Sequence, residues 1–483
     1  MNRFIGRQQD IEALNAIVAR PGAHLLLVYG RRRVGKTTLL LRWAQQTGRP
    51  LIYWVARRDT PALVRQSFVR AIWTWAYPPD HTAAAGNGSS VPTFDSWEPI
   101  FELAARLIGQ RPVVLIMDEF SYAAQSDPSL PSHLQAAWDH LFKETNITLV
   151  LAGSHIGMMV EQMNYHAPLY GRFTAQLPVA PLPFAALRDF LPRYGAAERV
   201  AVYAVVGGIP AYLEQFDDHE GVGANLKRLF MDRTSVFQSE PFILIGDVIR
   251  RETQTYEAVL RAIATGSHTP QDIGAALALP STHLSPYLKQ LEALHLVERR
   301  LPATLPREER RTSRNSRYHL RDPYLRFYFR FIAPNLDMVE QGLMDVLWER
   351  IAEQFRAFIG VTAFEDLCRE WTLAQARGHR LPMTPEYVGS HWSADAQVDV
   401  VAINWRTHEI LLGECKWGAD PVGRSVIMEL IAKTPKVIPG TDWRSHYVFF
   451  SRAGFTDAAR AEAEAVNATL VDLEQLEAGL AGL

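Results

Sequence analysis

The sequence predicts an α/β protein: a parallel sheet built around a phosphate-binding loop, then helical segments, then a second α/β domain at the C-terminal end. Three observations carry that prediction. Gly30-Arg31-Arg32-Arg33-Val34-Gly35-Lys36-Thr37 fits G-x-x-x-x-G-K-[ST], with the apolar run Leu25-Leu26-Leu27-Val28-Tyr29 ahead of it and helical Thr38-Leu39-Leu40-Leu41-Arg42-Trp43 behind. A second apolar run, from Val113 to Met117, ends in Asp118-Glu119. Far downstream, two strand-like runs carry Asp399 and the pattern Glu414-Cys415-Lys416.

Strand, glycine loop and helix in that order turn a pattern match into a phosphate-binding claim. The glycines let backbone N–H groups of residues 30–37 approach phosphate oxygens, and the helix start at Lys36 to Thr38 adds partial positive charge. Lys36 is expected to reach the β- and γ-phosphates and the Thr37 hydroxyl to ligate Mg²⁺. The ligand is therefore a nucleoside triphosphate. A continuous apolar run suits a strand buried on both faces. Its two terminal acids then lie at the C-terminal edge of the sheet, where ligands of open α/β sheets bind. Asp118 is expected to hold Mg²⁺ through water and Glu119 to polarise the attacking water. A pair of acids at a helix N-cap is the bland alternative.

Composition bounds the rest. The chain has 483 residues, 48% of them hydrophobic and 21% charged, which is too long for one core and typical of a globular chain. The net charge of −2 confines any nucleic-acid surface to a local patch. Cys368 and Cys415 form neither a disulfide framework nor a zinc knuckle, and Met1 to Arg7 lacks the apolar core of a signal peptide. No apolar run approaches the roughly twenty residues of a membrane helix. A reducing cytoplasm and no membrane association are expected.

In order along the chain, Phe4-Ile5-Gly6-Arg7 precedes an amphipathic helix bearing Ile11, Leu14, Ile17 and Val18. Residues 50–55 read as a second strand, and residues 78–92 as a mobile small-residue loop. Ile147 to Ser154 is another buried strand with a polar tip; by resemblance to ATPases of this class Ser154 looks like the sensor of the γ-phosphate or lytic water, and a helix N-cap is an alternative that does not exclude it. Arg172, in Leu169-Tyr170-Gly171-Arg172-Phe173, stands where ATPases that this chain resembles often carry a phosphate-sensing arginine, acting in cis or across a subunit interface; a plain surface arginine is the alternative. From Leu182 to Asp247 the pattern is helical, broken sharply at Gly207-Gly208-Ile209-Pro210.

Residues 253–330 read as a winged helix-turn-helix: a helix with Tyr256, Val259, Leu260 and Ile263, a second capped by Thr269, and a third from Ser281 to Leu294. Pro286 is expected in the first turn of that third helix, where its missing N–H costs little. Between Lys289 and Arg330, eleven Lys and Arg residues face five acids, a patch suited to phosphates.

The C-terminal runs, from Gln397 to Asn404 and from Glu409 to Trp417, predict a hairpin. If it is symmetric about Arg406-Thr407, Asp399 falls opposite Glu414, and Lys416 points to the same face. Two carboxylates and a lysine on one face are costly unless they hold a divalent metal. A slip of one residue abolishes the cluster.

These motifs support resemblances. The F-x-G-R stretch at Phe4, Gly6 and Arg7 resembles the adenine-side entry of AAA+-related ATPases, which implies ATP. The helical stretch after residue 180 resembles the small lid that packs over the nucleotide in such proteins. Asp399, Glu414 and Lys416 resemble the PD-(D/E)XK nuclease fold, which implies that both acids bind Mg²⁺ and that Lys416 orients water or stabilises the charged phosphorane. Such folds often supply another acid from the first core helix, here Glu365, with Asp366 and Glu370 as competitors. Over nearly its full length the chain resembles archaeal and bacterial P-loop ATPases, related to AAA+ and STAND proteins, that carry a winged helix and a restriction-endonuclease-like domain. That resemblance implies an ASCE-type sheet over residues 1–180, a helical lid at 181–250, a winged helix at 251–335 and a nuclease-like domain at 336–483. The function expected is Mg²⁺-ATP hydrolysis by a homo-oligomer acting on DNA, with ATP gating the nuclease. The alternative is a STAND-like switch that binds DNA or a protein and whose nuclease fold is inactive.

Overall fold

The computed structural model describes residues 4–78, 91–249 and 252–481. The expected loop at 78–92 falls almost wholly outside them. The chain divides into two compact units, Met1–Leu182 with Ile209–Ala211, and Pro183–Gly208 with Tyr212–Leu483. No helix among the described residues is long and apolar enough to cross a membrane.

The first unit is built on five parallel strands: β1 (His24–Tyr29), β2 (Leu51–Val55), β3 (Val114–Asp118), β4 (Thr148–Gly153) and β5 (Ala175–Pro178). Their order, β2-β3-β4-β1-β5, sets β4 between the strand of the glycine loop and the strand of the Asp-Glu pair. Burial follows position. The three inner strands are covered on both faces almost throughout, whereas β2 and β5 at the edges alternate. That is why the inner strands read as unbroken apolar runs. On one face Phe68 is fully buried and makes edge-on ring contacts with Trp54 at 5.0 Å and Phe101 at 5.9 Å. Gly30 closes the loop against β5: a Cβ there would lie 2.3 Å from the Val179 carbonyl oxygen.

In the second unit, helices Thr253–Ala264, Pro270–Leu277 and Ser281–Ala293 precede an antiparallel pair, β6 (Val297–Arg300) and β7 (Arg317–Leu320). Thr269 caps the second helix by accepting from the Asp272 N–H, with Asp272 reaching back. Pro286 lies in the second turn of the third helix rather than the first, because that helix starts at Ser281. It therefore leaves the Thr282 carbonyl without its helical donor.

The basic patch is largely turned inward. Arg300 pairs with Asp366 at 3.0 Å, and Arg326 donates to the Leu320 and Thr362 carbonyls. Arg310 and Arg317 lie over the rings of Tyr387 and Trp392. Arg299 donates to the Ser313 carbonyl, and Arg330 is half-buried. Lys289, Arg307, Arg311, Arg314 and Arg321 stay exposed. Guanidinium groups cover aromatic and carbonyl surface efficiently, and a charge count does not register that use.

Helices Met344–Ile359 and Glu365–Arg377 lead to a mixed sheet in the order β12-β11-β10-β9-β8. Its strands are β8 (Tyr387–Trp392), β9 (Gln397–Asn404), β10 (Glu409–Lys416), β11 (Arg444–Ser451) and β12 (Thr469–Asp472). β8, β9 and β10 pair antiparallel, β10, β11 and β12 parallel. The β9–β10 register runs from Asn404 opposite Glu409 to Val400 opposite Gly413, the symmetric alignment expected. The helical segment expected as a separate lid belongs to this second unit, apart from Ile209–Ala211. Arg199, on the Ala196–Val206 helix, grips Glu477 through two hydrogen bonds of 2.7 and 2.8 Å, with both side chains buried.

Candidate active sites: the phosphate loop and a carboxylate pocket

At the C-terminal edge of the first sheet, Gly35 (φ 91°) turns the chain from the loop into helix Lys36–Thr47. Lys36 is folded back into the loop. Its Nζ donates to the Gly30 carbonyl (2.9 Å), the Arg31 carbonyl (3.1 Å) and Ser154 Oγ (3.0 Å). Burial lowers this amine to about 8, although Glu119 and Asp118 oppose the shift. Thr37 Oγ1 donates to Asp118 Oδ2 at 2.7 Å, and Ser154 Oγ donates to Glu119 Oε1 at 2.8 Å. Three strand ends thus converge: β1 brings the loop, β3 the acids, and β4 the serine between them. Glu119 holds a left-handed backbone (φ 52°), a conformation costly for a residue with a side chain and met chiefly at functional sites.

Arg7 joins the entry stretch to the loop by donating to the Val34 carbonyl at 2.7 Å, and it pairs with Asp10 at 3.2 Å. Gly6 supplies the left-handed turn before it (φ 66°), and Phe4 is half-buried. Arg31 and Arg32 are half-buried in the loop, Val34 is buried, and Arg33 and Thr38 are exposed.

Arg172 is not brought here. It precedes β5, whose first residue, Ala175, pairs with Leu26 in the first half of β1, so it lies toward the N-terminal edge of the sheet. Strand residues rise about 3.3 Å each, which puts the length of β1 between Arg172 and the phosphate loop. Arg172 is held instead by Asp139, through hydrogen bonds of 2.7 and 3.0 Å, and by the Pro168 carbonyl. Strand direction thus sets Arg172 apart from the phosphate loop of its own chain.

Two residues escaped the sequence. Tyr53 on β2 donates to Asp118 Oδ2 at 3.0 Å, and burial beside that carboxylate raises its phenol. Pro210 reaches within 3.8 Å of where a side chain on Gly35 would begin. Neither contact has a local sequence signal, since one crosses two strands and the other spans 175 residues.

The second constellation gathers on β9, β10 and helix Glu365–Arg377. Asp399 Oδ2 accepts from the Cys415 N–H at 3.0 Å, so it bridges to the strand that carries Glu414. Glu414 is buried; its Oε1 accepts from Lys416 at 2.8 Å, and Lys433 stands 3.7 Å from its Oε2. That Oε2 atom is buried with no hydrogen-bond partner. Burial, then Glu414, raises the Asp399 carboxyl to about 6; burial, then Asp399, raises Glu365 to about 8. Asp366 is turned the other way. Burial would raise it, but Arg300, Arg369 and Arg326 together hold it below the usual carboxylate range. Arg369 fixes the helix to β9 by donating to the Asp399 carbonyl at 2.8 Å.

Raised carboxyls and an orphaned buried oxygen suit a divalent cation, which would relieve the repulsion and fill the vacant lone pair. As they stand the acids are not drawn onto one point. Among the described residues, the trio of potential ligand atoms lying mutually within 4.8 Å is Asp217, Asp218 and His219, elsewhere in the second unit.

Residues 4–216 match an ATPase domain family described as predominantly from Archaea, and residues 328–426 match a family of archaeal and bacterial proteins of unknown function. An uncharacterised protein of Methanocaldococcus jannaschii is 29% identical over 456 residues, which cover 93% of this chain and 95% of that protein. A Walker-type ATPase of Pyrococcus abyssi shares its fold at a TM-score of 0.50 and 21% identity, over 68% of this chain and 96% of its own. The Aeropyrum pernix ORC2 protein aligns over 71% of this chain and 97% of its own, at 15% identity and a TM-score of 0.41. Over residues 4–216 the chain is therefore similar to an ATPase domain family found mostly in Archaea, which supports a nucleotide-binding ATPase.

Proposed function

We propose that this protein is a Mg²⁺-dependent ATPase acting on DNA, and that the nucleotide state of its first unit gates a metal-dependent nuclease in its second. On binding triphosphate, Lys36 would leave the Gly30 and Arg31 carbonyls for phosphate oxygens. Glu119, held by Ser154, would accept a hydrogen bond from the attacking water and polarise it. Thr37 and Asp118, already hydrogen-bonded to each other, would hold Mg²⁺, which offsets the charge on the phosphates. In the second unit Asp399, Glu414 and Glu365 would hold the divalent ion of a nuclease, and Lys416 would orient water or steady the charged phosphorane. The three helices and hairpin of residues 253–320 are read as a winged helix, with exposed Lys289, Arg307, Arg311, Arg314 and Arg321 available to phosphates. Arg172, if it acts on nucleotide, acts in trans within a homo-oligomer.

The observation that carries the nuclease reading is the costly gathering of Asp399, Glu414 and Glu365 beside Lys416, with Glu414 Oε2 unpartnered. The test is incubation of linear, nicked and supercoiled DNA with the protein and Mg²⁺ or Mn²⁺, with and without ATP. Cleavage lost in Lys416→Ala supports the enzyme. Cleavage that persists unchanged in Lys36→Ala removes the gating and leaves the nuclease. A second reading, a nucleotide-controlled switch without cleavage, draws on the inward-turned arginines and on the three acids not meeting at a point. Absence of cutting on every substrate would favour it.

A further inference from the structure

A cavity of about 170 Å³ in the second unit is lined by Arg300, Arg326, Arg330, His268, His319 and Asp366, with apolar walls such as Leu320 and Phe358. Its polar lining is almost entirely donors. Arg300 is balanced by Glu298 and Asp366, and Arg326 by carbonyls with Asp366 at 3.8 Å. Asp366 is shared further, with Arg369. Among the described residues Arg330 has no carboxylate partner: it makes one long contact to the Ala264 carbonyl (3.5 Å), lies over the Phe331 ring, and buries its Nε without a hydrogen bond. The two imidazoles stack at 4.4 Å, and His268 spends its Nδ1 on the Tyr318 carbonyl. Burial, then Arg300 and His268, drives His319 down to about 2, so the ring is held neutral among cations.

Burying a guanidinium nitrogen without an acceptor is costly, and guanidinium forks match the oxygens of phosphate in pairs. We infer that this cavity binds a phosphate-type anion, with Arg330 as the principal ligand and Arg300, Arg326 and His319 as further donors. Two sources share that chemistry: a small phosphate or mononucleotide, and the terminal phosphate of a nucleic-acid strand. The site is separate from the phosphate loop, and it adjoins Asp366, the neighbour of Glu365. It stands whether or not the carboxylate pocket cuts.

The experiment uses the full chain carrying Lys36→Ala, to weaken binding at the loop. Calorimetry would be run with inorganic phosphate, with AMP, and with one oligonucleotide bearing either a 5′-phosphate or a 5′-hydroxyl. The expected result is binding of at least one phosphate probe, weakened tenfold or more by Arg330→Gln. A preference for the 5′-phosphorylated strand assigns a nucleic-acid end; binding of phosphate or AMP alone assigns a small ligand. No binding, or equal binding by Arg330→Gln, overturns the assignment. Should Arg330→Gln lose its folded thermal transition, His319→Ala replaces it, and an affinity unchanged from the parent is then the overturning result.

Discussion

At the scale of single residues, Ser154 is the joint of the ATPase site, because it accepts from Lys36 and donates to Glu119. Ser154→Ala removes the 2.8 Å hydroxyl bond and leaves Glu119 only the long contact from the backbone N–H at 3.4 Å. We expect kcat for ATP hydrolysis to fall roughly 10- to 100-fold, the range of a mispositioned general base, with nucleotide affinity nearly unchanged. A fall in affinity with kcat intact would assign Ser154 to binding instead. In the carboxylate pocket the prediction runs the other way for stability. Asp399→Asn removes one of the mutually repelling acids and should raise the melting temperature of the metal-free protein. The same change should abolish any stabilisation by Mn²⁺. If Asp399→Asn destabilises the metal-free chain, the strain read from its raised carboxyl is absent. Much of this was legible in advance. The loop, the Asp-Glu pair and the Asp399, Glu414 and Lys416 set are local patterns whose chemistry follows from residue type. The Tyr53 and Lys433 contacts to carboxylates, and the bond from Arg369 to the Asp399 carbonyl, were not, since they form only through tertiary packing.

At the scale of elements, strand identity was readable wherever burial on both faces wrote an apolar run, as in β1, β3 and β4. The β9–β10 register was readable because a short turn and a period of two leave one alignment that buries the apolar face. β5 was not: four residues with alternating exposure carry too little signal. Reading β5 is what separates the two alternatives for Arg172, since a residue ahead of a parallel strand lies at the edge away from the ligand. Pro286 is different: the helix start at Ser281 was readable, and counting from it places the proline sixth, in the second turn. The Ala196–Val206 helix and the Leu473–Leu480 helix are tied by the buried Arg199–Glu477 pair, bidentate and supplemented by Arg188 at 3.0 Å. Removing one partner of such a pair strands a buried charge. Glu477→Ala should therefore cost about 3–5 kcal/mol in urea unfolding, and a cost below about 1 kcal/mol would mean the pair is solvated.

At the scale of the whole molecule, the two units should respond to different solution variables. Nucleotide binds in the first and should raise its thermal transition by mass action. Acid should act on the second through His319, which faces Arg300, Arg326, His268 and Asp366. Its folded pKa, about 2, lies far below the ordinary value for an unfolded histidine, 6.5. The unfolded state therefore binds the proton first. The stability contribution is intact above pH 6.5 and is lost as pH falls, by up to about 2 kcal/mol at pH 5. Calorimetry of wild type and His319→Phe between pH 7.5 and 5 checks this: the wild-type transition should drop more steeply. Parallel pH profiles would show that His319 is not held neutral.

The central claim is that the gathered acids of the second unit form a divalent-cation centre distinct from the one in the phosphate loop. Mn²⁺ titration of the full chain, followed by electron paramagnetic resonance of the free ion, tests it most directly. The background is Asp118→Asn, which weakens the first site. One Mn²⁺ should bind per chain in that variant, and none when Asp399→Asn is added. An unchanged stoichiometry in the double variant would contradict the claim.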